Sequence, residues 1–111
     1  MSSHYHYYIS RNYLIIALKP LEHEDLNFFK LIMSNKKGKF NKVILELNSY
    51  EIIDNASIEF INKIIYFFRM YGLETYASGI LPETAYFLSN LNVNINAKTY
   101  LNLDRVIKDD K

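Results

Sequence analysis

The sequence predicts an α/β fold with a mixed, mostly parallel β-sheet of about four to five strands and four helices. Two observations predict it. Short β-rich runs alternate with segments whose apolar residues recur at helical spacing, and only the first two runs follow each other without a helix between them. Strands joined by helical crossovers pair in parallel, whereas strands joined by a tight turn pair antiparallel. The predicted order is therefore β-β-α-β-α-β-α-β-α.

The first elements are predicted to be a β-hairpin and a helix. The β-rich runs at 7–9 and 13–18 are separated by Ser10-Arg11-Asn12, a short polar segment that favours a hairpin turn. From Glu22 to Met33, apolar residues lie on one helical face. The basic segment 34–39 is then expected to be a solvated loop, with contact to phosphate as the alternative.

The middle of the chain is predicted to be a buried strand followed by the longest helix. Val43 to Leu47 is an apolar run with a single carboxylate, a length and composition typical of a buried strand. Ala56 to Tyr71 has the apolar spacing of a helix, and Gly72 is expected to end it. Asp54 and Asn55 are good N-cap residues, because their side-chain oxygens can accept from the free N–H groups of the first turn.

The last third of the chain continues the alternation. Its predicted elements are a strand at 73–78, a helix from Pro82 to about Asn90, a strand near 98–100, and a terminal helix that carries Leu103, Val106 and Ile107. Pro82 suits the first helical position, and Glu83 suits the positive end of the helix dipole. Ala85, Leu88 and Leu91 are predicted to form the inner face of this helix.

Two loops are candidates for function. Segments 48–57 and 78–83 both leave the carboxyl ends of predicted parallel strands, where function usually sits in such sheets, so they are expected to lie side by side. A helix that begins in such a loop presents free amides, which can hold an anion, receive a phosphate or dock a partner. The alternative is that Asp54-Asn55-Ala56-Ser57 only caps a helix.

Composition excludes several classes of function. The 111 residues suit one domain spanning 1–111, and the absence of cysteine excludes disulfides and thiol chemistry. Thirteen basic and twelve acidic residues argue against a nucleic-acid surface. No signal peptide and no apolar run of about 20 residues are visible, so a cytoplasmic protein without a membrane partner is expected. His4 and His6 lie in a terminal segment, and no nucleophile–base pair is evident, so we expect no metal, no cofactor and no enzyme.

The longest helix has more apolar surface than one sheet needs. Phe60, Phe67 and Tyr71 form a stripe beside its core face. Either a neighbouring helix covers this stripe, or it is a surface for self-association or a partner. We predict that the chain self-associates, or pairs with a related domain, at least partly through this helix.

The residues of both loops resemble the STAS family. Val43 to Asp54 resembles its pattern of a hydrophobic strand, a small polar pair and two hydrophobic residues before Asp. Gly79 to Ala85, with the sequence Gly-Ile-Leu-Pro-Glu-Thr-Ala, resembles the turn of stressosome proteins of the RsbS and RsbR type. The likeness covers 7–108. It implies a STAS (SpoIIAA-like) fold and a non-catalytic regulator, related to anti-sigma factor antagonists, that acts by partner switching within a stressosome.

The same resemblance implies partners and site residues. The partners would be a serine/threonine switch kinase (RsbT-like) and other STAS proteins in an oligomer. The regulatory loop would contain Asp54, Asn55, Ala56, Ser57, Gly79, Pro82 and Glu83. The two usual phosphoacceptor positions fall at Asn55 and Phe87 and are therefore lost, and the nearby hydroxyls of Ser57 and Thr84 match neither. The alternative function is the binding of a small anionic, nucleotide-like ligand between the two loops.

Overall fold

The computed structural model describes residues 5–19, 26–36, 38–50, 53–90 and 94–109. Five strands and four helices occur in this part of the chain, in the predicted order. They are β1 (His6–Ser10), β2 (Tyr13–Ala17), α1 (Asn27–Lys36), β3 (Lys42–Glu46), α2 (Asn55–Met70), β4 (Glu74–Ser78), α3 (Pro82–Asn90), β5 (Lys98–Tyr100) and α4 (Leu103–Asp109).

The strands form one sheet in the spatial order β1-β2-β3-β4-β5. The hairpin β1–β2 is antiparallel, and each later neighbour pairs in parallel. The predicted fold class is therefore confirmed. Because β2, β3, β4 and β5 run in the same direction, their carboxyl ends lie at the same end of the sheet.

Both faces of the central strands are covered. Side chains alternate between the faces of a sheet, so Leu14 and Leu45 join the main core, which includes residues of α1, α2 and α3. Ile15 and Ile44 point to the other face, where Val106 of α4 completes a second, smaller core. Burial on both faces explains why β2 and β3 are continuous apolar runs rather than alternating ones.

The first helix ends later than predicted. Its buried face of Phe29, Ile32 and Met33 agrees with the prediction, but α1 continues to Lys36. The basic segment 34–39 is therefore helical in its first half, because nothing between Met33 and Lys36 breaks a helix strongly. The predicted start at Glu22 lies outside the described residues, but the predicted helix also included Leu26, which precedes the first helical residue, Asn27.

The third helix buries less than predicted. Leu88 is buried, whereas Ala85 is exposed, and Leu91 lies outside the described residues. Ala85 lines a shallow cleft with Leu88 and Ile95. Its methyl group is thus on the inner side of α3 but is too short to reach the core.

The prediction that Phe60 belongs to an aromatic surface stripe on α2 is wrong. This side chain is only 6% exposed and belongs to the main core, with its ring 6.5 Å from that of Phe29 in α1. Phe67 is partly buried against the same core, while Tyr71 is 45% exposed. The neighbouring helix α1 covers the start of the stripe, so only its C-terminal end meets solvent.

An asparagine of α2 holds the segment that leads into β5. Asn62 Nδ2 donates to the carbonyl of Asn94 (3.0 Å), and Asn62 Oδ1 accepts from the backbone N–H of Asn96 (2.8 Å). Asn96 Nδ2 also donates to the Tyr66 hydroxyl (2.8 Å). These bonds fix the approach of the edge strand to the sheet.

Candidate functional site

The two predicted loops leave neighbouring strand ends. The backbone N–H of Leu47 donates to the carbonyl of Ser78 (2.8 Å), and that of Gly79 donates to the carbonyl of Tyr100 (3.0 Å). The ends of β3, β4 and β5 are therefore held together just where the loops begin. The predicted juxtaposition is confirmed.

Close contact between the loops depends on one glycine. Gly79 has a φ of 87°, in the left-handed region that other residues rarely adopt. A Cβ at this position would also lie 2.9 Å from Cγ and 3.0 Å from the backbone nitrogen of Asn48. Gly79 thus allows the β4–α3 turn to lie directly against the β3–α2 loop.

Two apolar residues anchor the β3–α2 loop to the core. Tyr50 and Ile53 are each 8% exposed, and the backbone N–H of Tyr50 donates to the carbonyl of Leu47 (3.1 Å). Asp54 directly follows the buried Ile53. The start of α2 is therefore held in a fixed position relative to the sheet.

Asp54, rather than Asn55, is the N-cap of α2. Its backbone is extended, and its Oδ1 accepts from the backbone N–H of Ser57 (2.8 Å). This hydrogen bond favours the ionised carboxyl and lowers the pKa of Asp54 below its ordinary value. Because the cap already uses the Ser57 amide, that amide is not available to an external anion.

The side chains of the first turn of α2 face solvent. Asn55 and Ala56 are exposed, and Ser57 is half-buried. At the start of α3, Pro82 and Glu83 are exposed as well. A partner protein can therefore reach both helix starts without any rearrangement of the core.

A cleft of about 240 Å³ lies between the loops. It is lined by Asn48, Tyr50, Ile53, Gly79, Ile80, Leu81, Thr84 and Leu101. Of the predicted regulatory-loop residues, Gly79 lines this cleft and the capping segment 54–57 does not. Asn48 lies in the predicted loop 48–57, whereas sequence reasoning missed Leu101, although Leu101 directly follows β5 and so had to reach the same end of the sheet.

The rim of the cleft is apolar and open. Leu81 is 55% exposed and Leu101 is 46% exposed, and both line the cleft. Phe87 on α3 is 58% exposed. Exposed apolar side chains that lie close together are typical of a protein–protein contact surface.

Neither a metal-binding cluster nor a membrane-spanning helix occurs in the described part of the chain. No group of three or more His, Cys, Asp or Glu side chains there could hold a metal ion, and His4 lies outside these residues. Within the same ranges, no helix has the length and apolar character needed to cross a membrane.

Known proteins match this chain in structure rather than in sequence. No protein-family model and no curated protein sequence matches it. A structure of the stressosome, described as a signal integration and transduction hub, matches with a TM-score of 0.74 over 93% of both chains at 18% identity. A serine-to-glutamate variant of RsbS from Moorella thermoacetica matches with a TM-score of 0.73, again over 93% of both, at 19% identity.

A third match agrees with these two. A putative anti-sigma factor antagonist from Thermotoga maritima has a TM-score of 0.68 and 23% identity, over 95% of this chain and 92% of that one. This chain has the STAS fold. The fold implied by the sequence resemblance is thereby confirmed, including the hairpin that adds an antiparallel strand to a parallel sheet.

Within this STAS fold, the two predicted phosphoacceptor positions are both accessible. Asn55 is the first residue of α2, and Phe87 lies on the exposed side of α3. Neither side chain has a hydroxyl. Ser57 lies in the first turn of α2, and Thr84 lines the cleft, so the nearby hydroxyls are in different surroundings.

Proposed function

We propose that this chain is a non-catalytic STAS regulatory protein, an RsbS-like stressosome scaffold that acts by partner switching. The observation that supports it best is the exposed start of α2, with Asp54 as the cap and Asn55 at the surface, next to the Gly79 turn. The STAS fold shared with an RsbS structure adds to this support. The partners proposed are a serine/threonine switch kinase and other STAS proteins, in the cytoplasm.

Because residue 55 is asparagine, this scaffold has a single binding state, the unphosphorylated one. A carboxamide cannot accept a phosphoryl group, so Asn55 adds no phosphate charge beside Asp54 at the exposed start of α2. The kinase would dock over exposed apolar residues, namely Leu81 and Leu101 at the cleft and Phe87 on α3. An aromatic side chain at 87 adds apolar contact area where the resemblance would place a second hydroxyl.

Intact-mass measurement tests this proposal. The purified chain is incubated with an RsbT-type switch kinase and ATP, and we expect no gain of mass. Asn55→Ser should gain one phosphate, because the new hydroxyl would occupy the usual acceptor position at an accessible helix start. Ser57→Ala, alone and with Asn55→Ser, is the matched control.

Either of two results would overturn the single-state proposal. One is a stoichiometric phosphate on the unmodified chain, and its loss in Ser57→Ala would show that Ser57 is the acceptor. The other is failure of the kinase to bind or modify any of these variants, including Asn55→Ser. In that case the kinase would not be a partner of this site.

The cleft favours a second candidate, a small-anion binding site. The Asn48 carboxamide and the Thr84 hydroxyl line it and could both donate to an anion. Its volume of about 240 Å³ is below the roughly 300–1,000 Å³ of drug-sized ligand pockets, so a group smaller than a nucleotide fits best. Thermal unfolding with phosphate, phosphorylated metabolites and nucleotides tests this candidate, and no shift with any of them would eliminate it.

A further inference from the structure

Strand β5 lies at the edge of the sheet, and no other strand of the described residues pairs with its outer side. It is the last strand in the sheet order, and its pairing within the described chain is with β4. The carbonyl of Tyr100 accepts from the N–H of Gly79, so the peptide groups of Tyr100 and, two residues earlier, Lys98 face β4. Along a strand, the N–H and C=O groups of successive residues point to opposite sides in the plane of the sheet. Those of Thr99 therefore point away from β4.

Basic side chains surround this edge. A groove of about 690 Å³ is lined by Lys98, Thr99, Tyr100, Leu101, Arg105 and Lys108. Arg105 and Lys108 are three residues apart on α4, which places them on the same side of the helix, and both are exposed. The ammonium group of Lys98 lies 5.5 Å from the centre of the Tyr100 ring.

This charge is a local property of the groove. The whole chain carries a formal charge of only +1, yet three of its cationic side chains line one groove beside a strand edge. Asp104 is also exposed on α4 but does not line the groove. The groove is therefore complementary to a negatively charged partner.

We propose that an extended acidic segment of a partner protein binds here by adding a strand to β5. Its backbone would pair with the N–H and C=O of Thr99, and its carboxylates would contact Arg105 and Lys108. Alternate residues of an added strand project to the same face about 7 Å apart, so glutamates at every second position suit this groove. Leu101 lines both the groove and the cleft, so such a segment would end at the rim of the candidate site.

The probe for this proposal is a fluorescein-labelled peptide of alternating glutamate and valine. Its matched controls are the peptide with lysine in place of glutamate, and a single-stranded oligothymidylate of the same net charge. Fluorescence anisotropy with the full chain should show binding of the acidic peptide and weaker binding of both controls. Hydrogen exchange at the Thr99 amide should slow when the acidic peptide is added.

Variants separate the roles of charge and backbone. Arg105→Glu with Lys108→Glu should weaken peptide binding by about tenfold or more, whereas Lys30→Glu with Lys63→Glu, the same charge change elsewhere, should have little effect. Thr99→Pro removes the outward N–H without removing a bond to β4 and should also weaken binding, while Thr99→Ala should not.

Four outcomes would overturn the proposal. They are no binding of the acidic peptide, equal or tighter binding of the oligothymidylate, unchanged exchange at Thr99, and unchanged affinity of a Thr99→Pro variant that is folded by circular dichroism. The exchange measurement uses the unaltered chain, so the backbone contact is tested even if a variant does not fold.

Discussion

Gly79 and Asn48 are in contact where the β4–α3 turn meets the β3–α2 loop, and no side chain fits between them. A Cβ on Gly79 would lie 3.0 Å from the backbone nitrogen of Asn48, and Gly79 also has a φ of 87°. Two independent constraints therefore require glycine here. One is the space that Asn48 leaves, and the other is the backbone conformation itself.

We expect Gly79→Ala to lower the free energy of unfolding by about 1–3 kcal/mol, through left-handed strain together with displacement of Asn48. Gly72→Ala is the matched control. Gly72 also has a positive φ, but a Cβ there would have no neighbour within 4 Å. Urea unfolding should show a greater loss for Gly79→Ala. Equal losses would mean that the contact with Asn48 costs nothing.

The cap at Asp54 predicts a pH dependence of stability. The hydrogen bond from the Ser57 amide lowers the pKa of Asp54, so this carboxyl stabilises the fold fully above its unfolded pKa of about 3.9. That contribution is lost as the pH falls through the lower, folded pKa. Asp54→Asn keeps a capping oxygen but does not titrate, so the stability difference between it and the unaltered chain should shrink below about pH 4. Urea unfolding from pH 3 to 7 measures this difference, and a constant difference would contradict the role of the ionised cap.

Because Phe60 is buried, we expect its replacement to lower the stability of the fold rather than to prevent self-association. Phe60→Ala should lower the free energy of unfolding by about 3–5 kcal/mol, because it leaves a cavity between α1 and α2. Tyr71→Ala, at a position that is 45% exposed, should cost much less. Similar losses in denaturant titrations of the two variants would contradict the covering of Phe60 by α1.

Self-association through the C-terminal end of α2 remains a prediction. Met70 is 86% exposed and Tyr71 follows it, so replacing both by glutamine should lower the oligomer mass in light scattering with an unchanged circular dichroism spectrum. Leu31→Gln, at an exposed apolar position on α1, is the control. An unchanged mass for the double variant would place any interface elsewhere.

Loss of the Asn62 hydrogen bonds is expected to loosen the segment of chain before β5. Asn62→Ala removes two bonds to the backbone of Asn94 and Asn96 and should cost about 1–3 kcal/mol. Asn62→Asp keeps the acceptor for Asn96 and should cost less. Hydrogen exchange at the Asn96 amide should be fastest in Asn62→Ala. Equal rates in all three proteins would show that other contacts hold this segment.

Local signals in the sequence predicted the elements well. The apolar run of β3, the cap at Asp54 and the glycine at 72 each act through neighbours within a few residues, so their patterns were sufficient. Contacts between distant segments were harder to predict. No pattern in α2 reveals that Phe29 covers Phe60, since that contact depends on how α1 packs. The contact of Asn48 with Gly79 likewise joins residues 31 positions apart.

The cap of α2 is made by Asp54, while the Asn55 side chain is exposed beside it. Helix formation therefore places little demand on the identity of residue 55. Asparagine and serine codons differ by a single base, so one point mutation would place a hydroxyl at this position without disturbing the cap. Under the proposed function, such a mutation would convert the domain into a form that the kinase can modify, with little effect on folding. The structure predicts that close relatives of this chain differ from one another at this position more readily than at Asp54 or Gly79.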